Sequence, residues 1–139
     1  MAKKDTFTLE ILTPTGIYLK EEVSFLNVHS EKYNLGILPG HAPLITTLAI
    51  SPMKITFKEK TLKYAIGGGI MRIDKEKVLL LLNSIERADE VDIERALAAK
   101  TRAEERLKNK SHYEEIDVTR AKLALSRAIN RIQIIDNKD

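Results

Sequence analysis

Arg95 and Arg102 stand seven residues apart, and Arg127 and Arg131 stand four apart. On helices each pair falls on one stripe, the first about 10 Å apart along the axis at 1.5 Å per residue. If the two helices form an antiparallel hairpin, the start of the first lies level with the end of the second. Asp92 and Arg95 then come near Arg127 and Arg131. Four guanidinium groups, each a fork of donors, suit a polyphosphate. The same residues also read as a solvated face laced by i, i+4 ion pairs. Arg95, Arg102 and Arg127 point away from the apolar seam of their helices, which fits that second reading in part.

Other reactive side chains form no constellation. His29, His41 and His112 are scattered, with no cysteine or carboxylate at ligand spacing, and the chain has no cysteine at all. Thiolate chemistry, disulfides and cysteine-based metal sites are therefore excluded. Gly67-Gly68-Gly69 lacks the Gly-Lys-Ser/Thr of a phosphate loop and lies between strand-like runs, so a tight inter-strand turn is expected there. No catalytic residue is expected.

The arginines depend on two helices, and the sequence marks both. Asp92-Ile93-Glu94-Arg95-Ala96 recurs as Asp117-Val118-Thr119-Arg120-Ala121, twenty-five residues on. All six glycines and all four prolines lie at or before Gly69, leaving the rest free of helix breakers. Residues 85–90 read as a charged linker, with Asp89 or Asp92 able to cap a first helix. That helix should reach about Lys108. Residues 109–113 make the turn, and Ser111 with Glu114 fits a capping box for the second helix. Val118, Ala121, Leu125, Ala128, Ile132 and Ile135 form a 3, 4 seam, answered by Ile93, Ala96, Lys100, Ala103 and Leu107. Alanine fills much of that seam, so at about 25 cal/mol per Å2 the pairing is worth only a few kcal/mol. Opened into one rod of about 45 residues, the segment would reach roughly 65 Å. The composition permits a switch.

The first 84 residues read differently. Phe7, Leu9 and Ile11 alternate with polar residues, and further strands are expected over 17–23, 25–29, 53–57, 62–66, 70–73 and 77–82. Residues 35–47 form an apolar stretch broken by Gly and Pro. The solid apolar run 78–82 reads as a central strand covered on both faces. The expected architecture is α+β: an N-terminal antiparallel β-sandwich or barrel over 1–84 and an antiparallel two-helix hairpin over 85–139.

Composition narrows the function classes. The 139 residues carry a formal net charge of +3. Residues 1–83 hold 11 Lys/Arg against 8 Asp/Glu, whereas residues 84–139 hold 12 of each. The arginine-bearing half is thus neutral, contrary to a nucleic-acid-binding hairpin, which concentrates one sign of charge. The N-terminal residues lack the apolar block of a signal peptide, so a cytoplasmic location is expected.

Leu35-Gly36-Ile37-Leu38-Pro39-Gly40-His41-Ala42-Pro43-Leu44, with the duplicated Asp-x-x-Arg-Ala helices behind it, resembles the epsilon subunit of the rotary F-type ATP synthase. The resemblance runs nearly end to end. It implies a non-catalytic central-stalk subunit at the cytoplasmic face of the cell membrane. The sandwich would bind the gamma subunit and touch the c-ring, with Asn34, Gly40 and His41 at partner contacts. The helices would either fold down or extend along gamma into the alpha and beta subunits and inhibit hydrolysis.

Bacillus-like members carry an ATP-binding pattern of Ile/Leu-Asp-x-x-Arg-Ala with downstream arginines. Here it falls on Asp92, Arg95, Ala96, Arg102, Arg127 and Arg131, with Glu86 upstream and Val91 in place of Ile or Leu. ATP as a regulatory ligand would favour the folded hairpin. Lys32-Tyr33-Asn34 replaces the usual Glu-Gly-Glu-like turn, and Gly67-Gly68-Gly69 the usual Gly-Gly-Phe. A free-standing nucleotide-binding regulatory protein is the alternative, distinguished by failure to associate with gamma.

Overall fold

The computed structural model describes residues 5–109 and 115–136. It divides into two units, residues 1–87 and residues 88–139. The expected turn at Lys110, Ser111, His112 and Tyr113, with the Ser111/Glu114 capping box, lies outside the described residues.

The first unit is made of eight strands: β1 (Phe7–Thr13), β2 (Gly16–Val23), β3 (Phe25–His29), β4 (Asn34–Ile37), β5 (Leu44–Phe57), β6 (Lys60–Asp74), β7 (Lys77–Leu82) and β8 (Ile85–Arg87). They hydrogen-bond in the order β2-β1-β7-β6-β5-β3-β4, with β8 beside β6. All pairings are antiparallel except β1 with β7. Two long strands make a sandwich of this one sheet. The first half of β5 and the second half of β6 lie with β7, β1 and β2, while their other halves lie with β3, β4 and β8. Period-two side chains supply the core between the layers: Leu9, Ile11, Leu26, Val28, Ile37, Met53, Ile55, Met71, Ile73 and Leu80 are buried.

Several expectations change. Residues 53–57 are the end of a single β5 that runs from Leu44 through Ser51 and Pro52. Pro52 is tolerated because β3 pairs only with Lys54, Ile55 and Thr56, so the missing N–H falls outside that ladder. Gly67-Gly68-Gly69 is likewise no inter-strand turn. It lies inside β6, where the register with β5 holds on both sides, from Leu48↔Gly69 to Ile50↔Gly67. Gly68 has φ +86°, and a Cβ at Gly69 would collide with the Leu81 carbonyl. Only glycine lets a strand bend and pack this closely against β7.

Residues 85–87, expected as linker, form β8 against Tyr64, Ala65 and Ile66, so the sandwich extends three residues past Ser84. β7 is central in its layer, yet Leu81 is 44% exposed, so only one of its faces is covered. An apolar run alone does not tell a doubly covered strand from one with an apolar outer face.

The second unit begins with a 3-10 turn, Ala88–Glu90, followed by α1 (Ile93–Lys108) and α2 (Glu115–Asp136). The helices pack on each other as an antiparallel hairpin, α2 also meeting the 3-10 turn that precedes α1. Ala96, Ala103, Ala121 and Ala128 are buried at heptad spacing, and Ile93, Leu107, Val118, Leu125, Ile132 and Ile135 are half-buried beside them. These are the seam positions. No helix of the described residues is long and apolar enough to cross a membrane.

Candidate functional site: the root and arginines of the helical hairpin

Asp92 ends the connection and opens α1. Its backbone is extended (φ −85°, ψ 104°), and its Oδ1 accepts a hydrogen bond from the Arg95 N–H at 3.1 Å. This is an N-cap, satisfying one of the unpaired amides of the first turn. At the other end the Asn109 N–H and Nδ2 both donate to the Glu105 carbonyl at 3.2 Å. Arg106 and Lys108 occupy the last turn, where the helix dipole favours cations.

The Asp-x-x-Arg-Ala phrase thus splits into three functions. Asp92 caps, Ala96 packs in the seam, and Arg95 is exposed. The second copy keeps the seam alanine, Ala121, but Asp117 sits inside α2 and forms a 4.0 Å ion pair with Arg120. Equal sequence phrases therefore serve unequal local roles, because only the first coincides with a helix start.

Of the expected anion ligands, Arg95 and Arg102 are exposed on α1, and Arg127 and Arg131 are half-buried on α2. All four belong to the hairpin unit. Glu86 does not: it is half-buried in β8 of the sandwich unit. A cleft of roughly 310 Å3 on the hairpin is lined by Arg106, Asp117, Val118 and Arg120, at the end of α1 and the start of α2. None of these was among the expected ligands. The second Asp-x-x-Arg phrase was the signal that could have found it. No group of three His, Asp or Glu side chains able to hold a metal occurs among the described residues.

The expected partner contacts lie at the start of one short strand and in the turn that follows it. Asn34 starts β4, where its Oδ1 accepts from Asn27 Nδ2 at 2.6 Å. Beyond the end of β4, the His41 N–H donates to the Leu38 carbonyl at 3.2 Å, and Gly40 has φ +83°. Leu38-Pro39-Gly40-His41 is thus a type II turn, with Pro presetting the second residue and Gly permitting the third. His41 Nδ1 lies 2.7 Å from the Ala42 carbonyl. The turn holds Leu38 outward, 60% exposed.

A second surface escaped the sequence reading. Thr47, Ile70, Leu81, Leu12 and Ile17 pair in succession across β5, β6, β7, β1 and β2, forming one row on the outer face. Ile17, Ile70 and Leu81 are 68%, 46% and 44% exposed. The adjacent row ends with Ile45, 70% exposed. Alternation identifies the inward residues, but only the register shows that the outward apolar ones are neighbours.

The β-sandwich and the two-helix unit each match one domain of the delta/epsilon class of ATP synthase chain. Residues 6–88 match the beta-sandwich domain of the ATP synthase delta/epsilon chain, and residues 89–136 match its long alpha-helix domain. The chain is 44% identical to the ATP synthase epsilon chain of Desulforamulus reducens, over 96% of this chain and 98% of that one. It is 38% identical to the epsilon chain of Bacillus mycoides, over 96% and 98%. A chain of the Euglena gracilis mitochondrial ATP synthase has the same fold, with a TM-score of 0.82 at 18% identity, covering 94% of this chain and 81% of that one. The protein belongs to the ATP synthase epsilon chain family.

Asp92→Ala is expected to remove the cap and cost about 1 kcal/mol of helix stability, whereas Asp92→Asn should keep most of it. Helicity and thermal unfolding of the two variants separate the cap from any ligand role. Equal loss in both would show that the carboxylate charge, not the hydrogen bond, matters to the helix.

Proposed function

We propose that this chain is a non-catalytic central-stalk subunit of a proton-translocating ATP synthase, held peripherally at the cytoplasmic face of the cell membrane. The sandwich couples the gamma subunit to the c-ring. The outer row of Ile17, Ile70 and Leu81, exposed, with half-buried Leu12 between Leu81 and Ile17, supports a docking role, because a contiguous apolar stripe on the surface marks an interaction site. Asn34, Gly40 and His41 are the proposed contacts on the loops around β4. The helical unit restrains ATP hydrolysis when extended toward the alpha and beta subunits, and ATP favours its folded form.

The observation that carries this reading is the alanine seam of a separately folded hairpin. Ala96, Ala103, Ala121 and Ala128 bury little area, so the hairpin is held by only a few kcal/mol. A ligand at one hundred times its dissociation constant adds about 2.7 kcal/mol, enough to decide the balance. Asp92, Arg95, Ala96, Arg102, Arg127 and Arg131 are the proposed nucleotide residues. The arginines supply forked donors to phosphate oxygens, while Ala96 is buried in the seam.

Calorimetric titration with ATP tests this. The wild-type chain is expected to bind, and Arg127→Ala to bind at least tenfold more weakly, the loss of about 1.4 kcal/mol that one charge-assisted hydrogen bond accounts for. Absence of heat from the wild-type chain would remove ATP as a ligand. Binding unchanged in Arg127→Ala would remove that residue from the site.

A further inference from the structure

The hairpin carries its charged phrase twice, and antiparallel packing gives the repeat a geometric meaning. Asp92, Arg95 and Ala96 recur twenty-five residues on as Asp117, Arg120 and Ala121. The same offset takes Ala103 to Ala128 and Arg106 to Arg131. Burial follows the repeat, since the four seam alanines are all 3% exposed or less. Antiparallel helices with matched phrases are related by an approximate two-fold axis across their seam, as in an isologous contact. Exchanging them carries Asp92, Arg95 and Arg131 onto Asp117, Arg120 and Arg106. At that second place the hairpin has its cleft of roughly 310 Å3, lined by Arg106, Asp117, Val118 and Arg120.

The two ends are alike in composition and unlike in pairing. Asp92 holds the Arg95 N–H as a cap. Asp117 lies inside α2, and its Oδ1 reaches Arg120 Nη1 only at 4.0 Å. The Arg120 and Asp117 side chains are 74% and 49% exposed, and a long ion pair between such groups contributes little. Among the described residues Arg106 makes no ion pair. The cleft thus presents two guanidinium groups on separate helices, one of them loosely held, beside half-buried Val118.

We propose that this cleft is a second anion site, which takes a phosphate group between Arg106 and Arg120. Forked donors on different helices can hold separate oxygens of a tetrahedral anion, and charge-assisted bonds to phosphate are stronger than a loose surface pair. The incoming anion displaces the Asp117 carboxylate from Arg120. The site shares no residue with the proposed nucleotide set, so it stands whether or not ATP binds at the root of the hairpin. Free phosphate and the terminal phosphate of a nucleotide present the same oxygens, and the titrations below separate them.

NMR of the arginine Nε–H groups in the full chain, titrated with sodium phosphate at constant ionic strength, tests the cleft. Arg106 and Arg120 are expected to shift in a saturable way, while sodium chloride alone leaves them in place. Arg106→Ala and Arg120→Ala should each weaken binding about tenfold, the loss of one charge-assisted hydrogen bond. Asp117→Asn should tighten it about threefold, because a competing negative charge is gone. All three side chains are exposed, so these substitutions leave the buried seam in place. The titration is repeated with ATP in Arg127→Ala, which weakens the proposed nucleotide site and leaves the cleft untouched. Saturable shifts with phosphate assign the cleft to the free anion, and saturable shifts with ATP alone assign it to the nucleotide. Saturation with neither, or binding unchanged in Arg120→Ala, would overturn the site. Weaker binding in Asp117→Asn would overturn the displacement of its carboxylate.

Discussion

Gly69→Val is expected to destabilise the sandwich by about 3 kcal/mol or more, at the upper end of what overpacking costs. A Cβ at this position meets the Leu81 carbonyl and the Leu82 Cα. Both are backbone atoms of β7, the strand that joins β1 to β6, and they have no rotamer through which to yield. Relief requires β6 and β7 to separate, breaking the Gly69↔Leu82 and Ile70↔Leu81 register and opening the layer at its centre. Urea unfolding should show the midpoint falling by roughly 2 M if the slope is near 1.5 kcal/mol per M. Ile17→Ala is the control: Ile17 is 68% exposed, and its loss should shift stability by no more than about 0.5 kcal/mol. A midpoint unchanged by Gly69→Val would mean that β6 can pass β7 by another route.

Ala103→Asp is expected to unfasten the hairpin while leaving the sandwich intact. Ala103 is only 3% exposed in the seam, and burying an unpaired carboxylate there costs several kcal/mol. That exceeds the few kcal/mol that the alanine seam provides. Amides of α1 and α2 should lose their protection, whereas those of β1, β6 and β7 keep theirs. Within the proposed function the effect on the enzyme has a definite sign. An unfastened hairpin is no longer stabilised by ATP, so hydrolysis in the assembled complex should stay low at every ATP concentration. Ending the chain after Glu90 should do the opposite and raise hydrolysis, because the restraining helices are gone. The opposed signs make the pair informative. Like effects of the two variants would sink the inhibitory role, and unchanged exchange in Ala103→Asp would sink the seam.

The sandwich shows why some features were legible and others were not. Phe7, Leu9 and Ile11 announce a strand by period alone, and they are buried as that period requires. The sequence predicts β6 as two pieces, because Gly67-Gly68-Gly69 carries the composition of a break, and only the second half of β5 as a strand, because residues 35–47 are broken by Gly and Pro. In the fold Gly67-Gly68-Gly69 and Ser51-Pro52 lie inside strands that pass from one layer to the other. Local chemistry is the same for a bend and a turn, and only the partner strands distinguish them. β8 was missed for a related reason: Ile85, Glu86 and Arg87 gain strand character from Tyr64, Ala65 and Ile66 rather than from their own pattern.

The hairpin divides the same way. Its sequence determined the helices, the alanine seam and the arginine spacing, since each follows from a period of about 3.6 residues and from side-chain size. The tertiary structure decided what the repeated Asp-x-x-Arg-Ala phrase does at each of its two places. Asp92 meets free amides and caps, whereas Asp117 lies within a formed turn and pairs with Arg120. It also decided that Glu86 belongs to the sandwich while Asp92 belongs to the hairpin, six residues apart in sequence. Periodicity is local and can be read along the chain. Where a unit ends depends on which distant strand accepts the next backbone hydrogen bond.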